Sequence, residues 1–277
     1  MNLVVQGAEV ETRWLKELAH LVSACAIEQI NTQAFRLRDA AVSPAVAEYC
    51  LERSLDYGYV PPGRRLSDMR LFVTDMDSTL ITIECIDEIA DMQGLKREVA
   101  AITEAAMQGE IDFRESLTRR VALLAGLPES ALAEVFDHRL QLNPGAERLL
   151  QGLQRAGIRT MLVSGGFTYF TERLKARLGF DHAYANQLEV VEGKLTGKVV
   201  GEIVDGEAKA AKLEHVRDAL GLRPEQVIAA GDGANDIPML RAAGFGVAFH
   251  AKPVLRDVAH CCLDHTGLDG ILDIFGG

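Results

Sequence analysis

The chain has 277 residues, 48% of them apolar and 25% charged, which suits one large globular domain with a smaller one. That balance excludes a disordered or fibrous chain, and no run approaches the ~18 consecutive apolar residues of a membrane span. With 29 basic and 40 acidic side chains the formal charge is −11, a surface that repels nucleic-acid phosphates, so neither nucleic acid nor membrane is an expected partner.

Residues 1–65 read as a small α+β segment in the order strand, helix, strand, helix. An apolar run at 3–5 is followed by helical spacing of Trp14, Leu18 and Leu21. An alternating run over 26–35 precedes a second helical pattern through Ala45, Tyr49 and Leu51. Pro61, Pro62 and Gly63 then predict a linker over 59–65.

From residue 66 the pattern changes. Continuous apolar runs at 71–74, 160–163, 227–230 and 245–249 suit buried parallel strands. Helical patterns follow at 170–178, 209–220 and 237–243. The fold class is therefore α/β, a doubly wound parallel sheet. Between Asp75 and Thr160 lie 84 residues, where a crossover needs roughly a dozen. Four helical stretches fill that interval, predicting a helical cap at about 84–141 inserted into a core of 66–83 and 142–277. An insertion there overhangs the carboxyl edge of the sheet, where ligands bind. Residues 183–204 alternate around Glu192-Gly193, a hairpin signal.

Three polar constellations stand at predicted strand ends. Asp75-Met76-Asp77-Ser78-Thr79 places two carboxylates two residues apart, able to share a hard cation such as Mg²⁺. Gly231-Asp232-Gly233-Ala234-Asn235-Asp236 offers a second acidic group, although Asp236 also suits a helix N-cap. In Val163-Ser164-Gly165-Gly166-Phe167 small residues before a helix expose N–H groups to an anion. Lys209 could add positive charge, but by residue chemistry alone it reads as a surface lysine, with Lys212 competing. The five cysteines are odd in number, include adjacent Cys261 and Cys262, and form no CxxC. They read as reduced thiols. No secretory signal is read at the start, so a cytoplasmic location is expected.

In this order DMDST, VSGGF, a lysine and GDGAND resemble the four motifs of the haloacid dehalogenase (HAD) superfamily, over residues 70–277. Glu84, the stretch AMQGEIDF at 106–113, LTRR at 117–120, NQL at 186–188 and GKLTG at 193–197 narrow the resemblance to its phosphoserine phosphatase family. The resemblance implies a HAD-like Rossmannoid core and Mg²⁺-dependent hydrolysis of O-phospho-L-serine through an aspartyl-phosphate, the last step of serine biosynthesis. It implies Asp75 as nucleophile and Asp77 as general acid and base. Asp75, Asp232 and the carbonyl of Asp77 would hold the metal, with Asp236 in the outer shell. Ser164, Gly165, Lys209 and Asn235 would bind the phosphoryl group. Glu84 would meet the substrate ammonium, Arg120 its carboxylate, and Met107 and Phe113 would close over it. Without the resemblance, Glu84, Phe113 and Arg120 read as structural residues.

Two other readings remain at this stage: a phosphatase or phosphotransferase for another small phosphorylated amino acid or alcohol, and a serine-sensing protein on an inactive phosphatase fold. The first 65 residues suit an ACT-like module or a packing extension, which leaves a homodimer open.

Overall fold

The computed structural model describes residues 1–107 and 110–276, the side chain of Met107 excepted. The first segment runs β1 (Asn2–Gln6), α1 (Thr12–Leu21), β2 (Ala26–Gln29), β3 (Ala34–Arg38), α2 (Ala45–Leu51) and β4 (Asp56–Val60). This corrects the sequence reading twice. The alternating run over 26–35 is two strands of a hairpin, not one. The predicted linker begins as a strand, because Pro61 and Pro62 end β4 instead of opening a linker at Tyr59. The order β2-β3-β1-β4, antiparallel throughout, is the split βαβ of ferredoxin-like units. Leu15, Leu18, Val46 and Cys50 of its helices pack on Leu3, Val5 and Leu37 of its sheet.

The larger part begins at β5 (Leu71–Thr74) and then leaves the sheet for α3 (Cys85–Asp91), α4 (Lys96–Met107), α5 (Phe113–Ala122) and α6 (Ser130–His138). It returns through α7 (Ala146–Arg155) to β6 (Arg159–Phe167), α8 (Thr168–Leu178), and the hairpin β7 (His182–Val191) and β8 (Lys194–Val200). Glu192 and Gly193 at the hairpin tip both have positive φ, at 51° and 71°, as a type I′ turn requires. The chain closes with α9 (Gly206–Ala219), β9 (Val227–Gly231), α10 (Ile237–Ala242), β10 (Phe245–Phe249), α11 (Pro253–Arg256), β11 (Cys261–Leu263) and α12 (Gly270–Ile274).

β5 is paired in parallel with both β6 and β9, and β9, β10 and β11 continue in parallel. Every residue of β5, β9 and β10 is buried. Alternate side chains point to opposite faces: Phe72, Leu162, Ile228 and Val247 enter one core, while Leu71, Val73, Met161 and Ala229 enter the other. Helices cover both faces, so the strands need no polar side, which explains their continuous apolar runs. β4 also pairs antiparallel with β11. The two parts of the chain therefore share one eleven-stranded sheet.

Candidate active site

The site lies at the carboxyl ends of β5, β6 and β9. Asp75 follows β5 and caps a single wide turn, Met76–Leu80, whose Met76 N–H donates to Asp75 Oδ1 at 2.7 Å. Within that turn Ser78 adopts φ +57°, an uncommon conformation for a residue with a Cβ, and its hydroxyl donates to Glu84 at 2.7 Å. Asp77 is held from two sides: Cys85 N–H donates to Oδ1 at 3.0 Å and Ser164 Oγ to Oδ2 at 3.3 Å. Burial raises its pKa despite these bonds.

Lys209 is not the surface lysine that residue chemistry suggests. It is 1% exposed, and its ammonium donates to Asp75 Oδ1 and Asp236 Oδ1, both at 2.8 Å. Burial opposes its charge, but Asp236 and Asp75 more than offset that and hold its pKa above the ordinary lysine value. Asp236 is wholly buried with both oxygens engaged: Oδ2 accepts from the N–H groups of Asp232 and Gly233, and Oδ1 from Lys209. It starts α10 without making a side-chain cap bond, so it serves as a prop beneath Asp232.

Asp75, Asp232 and Asp236 each present a carboxylate oxygen, all within 4.8 Å of one another. Burial and then Asp236 push Asp232 up to about 6. Burial and then Asp236 push Asp75 well above the carboxylate range. Three carboxylates against one ammonium leave an excess of buried negative charge, and every donor is a hard oxygen. The donor set fits a divalent cation such as Mg²⁺. The carboxylate of Asp77 stands outside this group, occupied by Cys85 and Ser164.

The glycine-rich motif is a bulged strand and not the turn its sequence suggests. β6 runs through Phe167, and its register against β7 shifts between Val163 and Phe167, which re-aims Ser164, Gly165 and Gly166. A Cβ on Gly166 would lie 2.5 Å from Asp77 Oδ2, and one on Gly165 2.8 Å from the ring of Phe113. Gly166 is thus a site residue that the sequence reading did not select, although its motif was in view. Asn186 is another: buried in β7, it donates to Gly165 O at 2.8 Å and accepts from Val204 N–H at 2.8 Å. Its signal is the NQL stretch at 186–188, which supports the family resemblance without marking Asn186 as a site residue. Thr79 was also passed over; it donates to Asp232 at 3.2 Å.

Above these groups is a cavity of about 670 Å³. Asp75, Asp77, Ser164, Gly165, Asp232 and Asn235 line its floor, while Glu84, Phe113 and Arg120 line it from the α3–α5 side. Lys209 and Asp236 lie beneath that floor. Burial, and after it the charge of Asp77, raises Glu84 to about 7. Burial lowers the pKa of Arg120, which faces Asp87, Glu84 and Asp77. Arg120 Nε and Asp87 Oδ1 are both buried without a hydrogen-bond partner among the described residues. Arg114 Nε donates to Asp205 at 2.6 Å. Asp205 itself caps the helix that carries Lys209. Arg114 is half exposed, and such a pair contributes at most ~1 kcal/mol. The side chain of Met107, expected over the substrate, lies outside the described residues.

A family model for haloacid dehalogenase-like hydrolases matches residues 72–241. A phosphoserine phosphatase of Albidiferax ferrireducens is 52% identical over 223 residues, covering 79% of this chain and 94% of its own. The chain belongs to the phosphoserine phosphatase family of haloacid dehalogenase-like hydrolases. A phosphoserine phosphatase structure described as a phospho-aspartyl intermediate analogue is 42% identical, with a TM-score of 0.69 over 74% of this chain and 97% of its own. A HAD family hydrolase from Salmonella enterica serovar Typhi matches 99% of this chain and 98% of its own at 32% identity, with a TM-score of 0.91. Residues 3–46 also match a domain of unknown function (DUF4072). No helix among the described residues is long and apolar enough to cross a membrane.

Proposed function

We propose that this phosphatase hydrolyses O-phospho-L-serine to serine and inorganic phosphate. The observation that carries the reading is one cavity with two kinds of wall. Its floor holds Asp75 and Asp77 beside the acidic cluster. Its other wall holds a carboxylate and a guanidinium, Glu84 and Arg120. Phosphoserine presents a phosphate, an ammonium and a carboxylate, which those groups match in turn. A guanidinium takes a carboxylate in bidentate fashion, and Arg120 has an unused Nε for it.

In this reading Asp75 attacks phosphorus and forms an aspartyl-phosphate while Asp77 gives its proton to the leaving serine oxygen. Asp77 then takes a proton from the water that attacks the intermediate, releasing phosphate and restoring Asp75. Burial favours the protonated form of Asp77 that the first step needs. Lys209 neutralises charge beneath Asp75 as negative charge collects on the phosphoryl oxygens. Ser164, Gly165 and Asn235 bind those oxygens. Asp75, Asp232 and the Asp77 carbonyl would hold Mg²⁺, with Asp236 behind them. When bound, the ion supplies positive charge to the carboxylates and the phosphoryl group. The helices within 84–141 act as a cap over the core of 66–83 and 142–277, and Phe113 closes the cavity against Gly165. The N-terminal unit, residues 1–65, stands apart from this chemistry; its ferredoxin-like strand order is compatible with an ACT-like module.

The test is phosphate release from L-phosphoserine, phosphothreonine, phosphoethanolamine and an aryl phosphate, with and without Mg²⁺. Metal-dependent release strongly biased to phosphoserine is expected. Equal rates over the panel would remove Glu84 and Arg120 from recognition, and no release would overturn the reading.

A further inference from the structure

A second cavity, of about 680 Å³, shares no lining residue with the first. It is walled by the β2–β3 hairpin, by the connector 62–67 and by the chain near Phe275. Four arginines face it: Arg36, Arg38, Arg64 and Arg65. Two carboxylates face them, Glu28 and Asp39, and both are engaged. Glu28 lies 3.0 Å from Arg38 and 4.0 Å from Arg36. Asp39 accepts from Cys25 Sγ at 2.9 Å. Among the described residues Arg64 and Arg65 have no ion-pair partner. The charge of Arg64 also reaches His260, whose pKa is lowered first by burial and then by this arginine.

A chain with a net charge of −11 would screen a solitary basic group. Four guanidinium groups against two carboxylates leave an excess of positive charge around one concavity. Arginine is the side chain whose planar fork matches carboxylate and phosphate oxygens in pairs. Arg64 and Arg65 sit just after Pro61 and Pro62, whose fixed φ limits how far the connector can wander. Their arrangement is therefore partly set before any ligand arrives, which lowers the ordering cost of binding.

We propose that this cavity is a second binding site, for a small molecule carrying a phosphate or carboxylate group. Its occupant would tie the connector to the β2–β3 hairpin, at the seam between the N-terminal unit and the catalytic part. The proposal is independent of the reaction at the first cavity.

Calorimetric titration of the full chain tests it, in metal-free buffer at constant ionic strength, with sulfate as the phosphate-like probe and succinate as the carboxylate probe. Saturable binding is expected, and the tighter probe identifies the class of anion. The double variant Arg64→Ala/Arg65→Ala should weaken it by about tenfold or more, while Asp75→Asn leaves it intact. Equal binding by the wild type and the double variant would overturn the proposal. So would loss of binding in Asp75→Asn, which would put the anion in the first cavity, and so would no saturable binding of either probe. If the double alanine variant does not fold, Arg64→Lys/Arg65→Lys keeps the charge but not the fork. It should bind about threefold more weakly, and unchanged affinity would overturn the proposal.

Discussion

The floor of the first cavity and its cap wall are built on opposite terms. At and beneath the floor, Lys209 meets Asp75 and Asp236 at 2.8 Å, on elements anchored to the buried strands β5 and β9. On the opposite wall, Arg120 and Asp87 each keep a buried polar atom unpaired among the described residues, although the same segment is fastened to the β7–β8 hairpin by backbone hydrogen bonds of Gly126, Leu127 and Glu129. A network that is complete before substrate arrives is preorganised for charge stabilisation. A wall with unmet polar groups gains hydrogen bonds only from the right ligand, and an analogue lacking the matching group leaves them unmet. In the proposed function, the molecule thus separates where it does chemistry from where it chooses its substrate.

The strongest way to break this division is at Asp75, the proposed nucleophile. Asp75→Asn should lower turnover of phosphoserine by more than about 10³-fold, because an amide is a very poor nucleophile, with the far-UV spectrum and melting curve preserved. A variant retaining a tenth of the wild-type turnover would remove Asp75 from that role. Next, Lys209→Met keeps the volume of the side chain but leaves buried carboxylates unbalanced. Breaking a buried pair from one side costs about 3–5 kcal/mol, so urea denaturation should show a loss of that size. A change under ~1 kcal/mol would mean that the floor is not the rigid network described.

The cap wall should respond differently. Arg120→Ala should raise KM for phosphoserine by roughly 10- to 100-fold, the equivalent of one charged hydrogen-bonding contact. It should leave KM for phosphoethanolamine, which lacks the carboxylate, nearly unchanged. Equal effects on both would dissolve the distinction between the two walls. The smallest effect concerns pH. Asp232, at about 6 when folded, binds more protons than its unfolded counterpart between roughly pH 4 and 6. Glu84, at about 7, extends the window upward. Stability from these groups is therefore present at low pH and is lost as pH rises through the window. Metal-free protein should melt about 2–4 °C lower at pH 8 than at pH 5.5 for each kcal/mol involved. Added Mg²⁺ should raise the melting temperature more at pH 8. A shift of the same size at both pH values would argue against metal binding by ionised carboxylates.

The two walls were also unequally legible in the sequence. DMDST and GDGAND stand out because each follows a run that a two-sided buried strand makes uniformly apolar, so a polar cluster at its end is conspicuous. The helices α3 to α6 were readable from spacing alone. Lys209 was not, since its partners lie 27 residues ahead and just past a strand more than a hundred residues behind, and nothing beside it marks it as buried. Arg120 carries no signal beyond the LTRR resemblance, because what marks it in the structure is a buried Nε without a partner among the described residues. In the N-terminal unit, β4 escaped notice because Gly58 interrupts it and two prolines follow. What makes it a strand is pairing with β1 and β11, at distant positions in the chain.

That pairing bears on how the protein avoids sticking to itself. β11 is three residues long, Cys261-Cys262-Leu263, all buried, and it closes the parallel part of the sheet. Left bare, its unpaired N–H and C=O groups would offer a template to any extended chain nearby. β4 covers it, and Asp56 fastens the junction by accepting the N–H groups of Asp264, His265 and Thr266. The outer edge then falls on β2, short, exposed and carrying Glu28, a poor surface for aggregation. Residues 1–60 thus act as an edge guard for the catalytic sheet, whatever else binds at their seam.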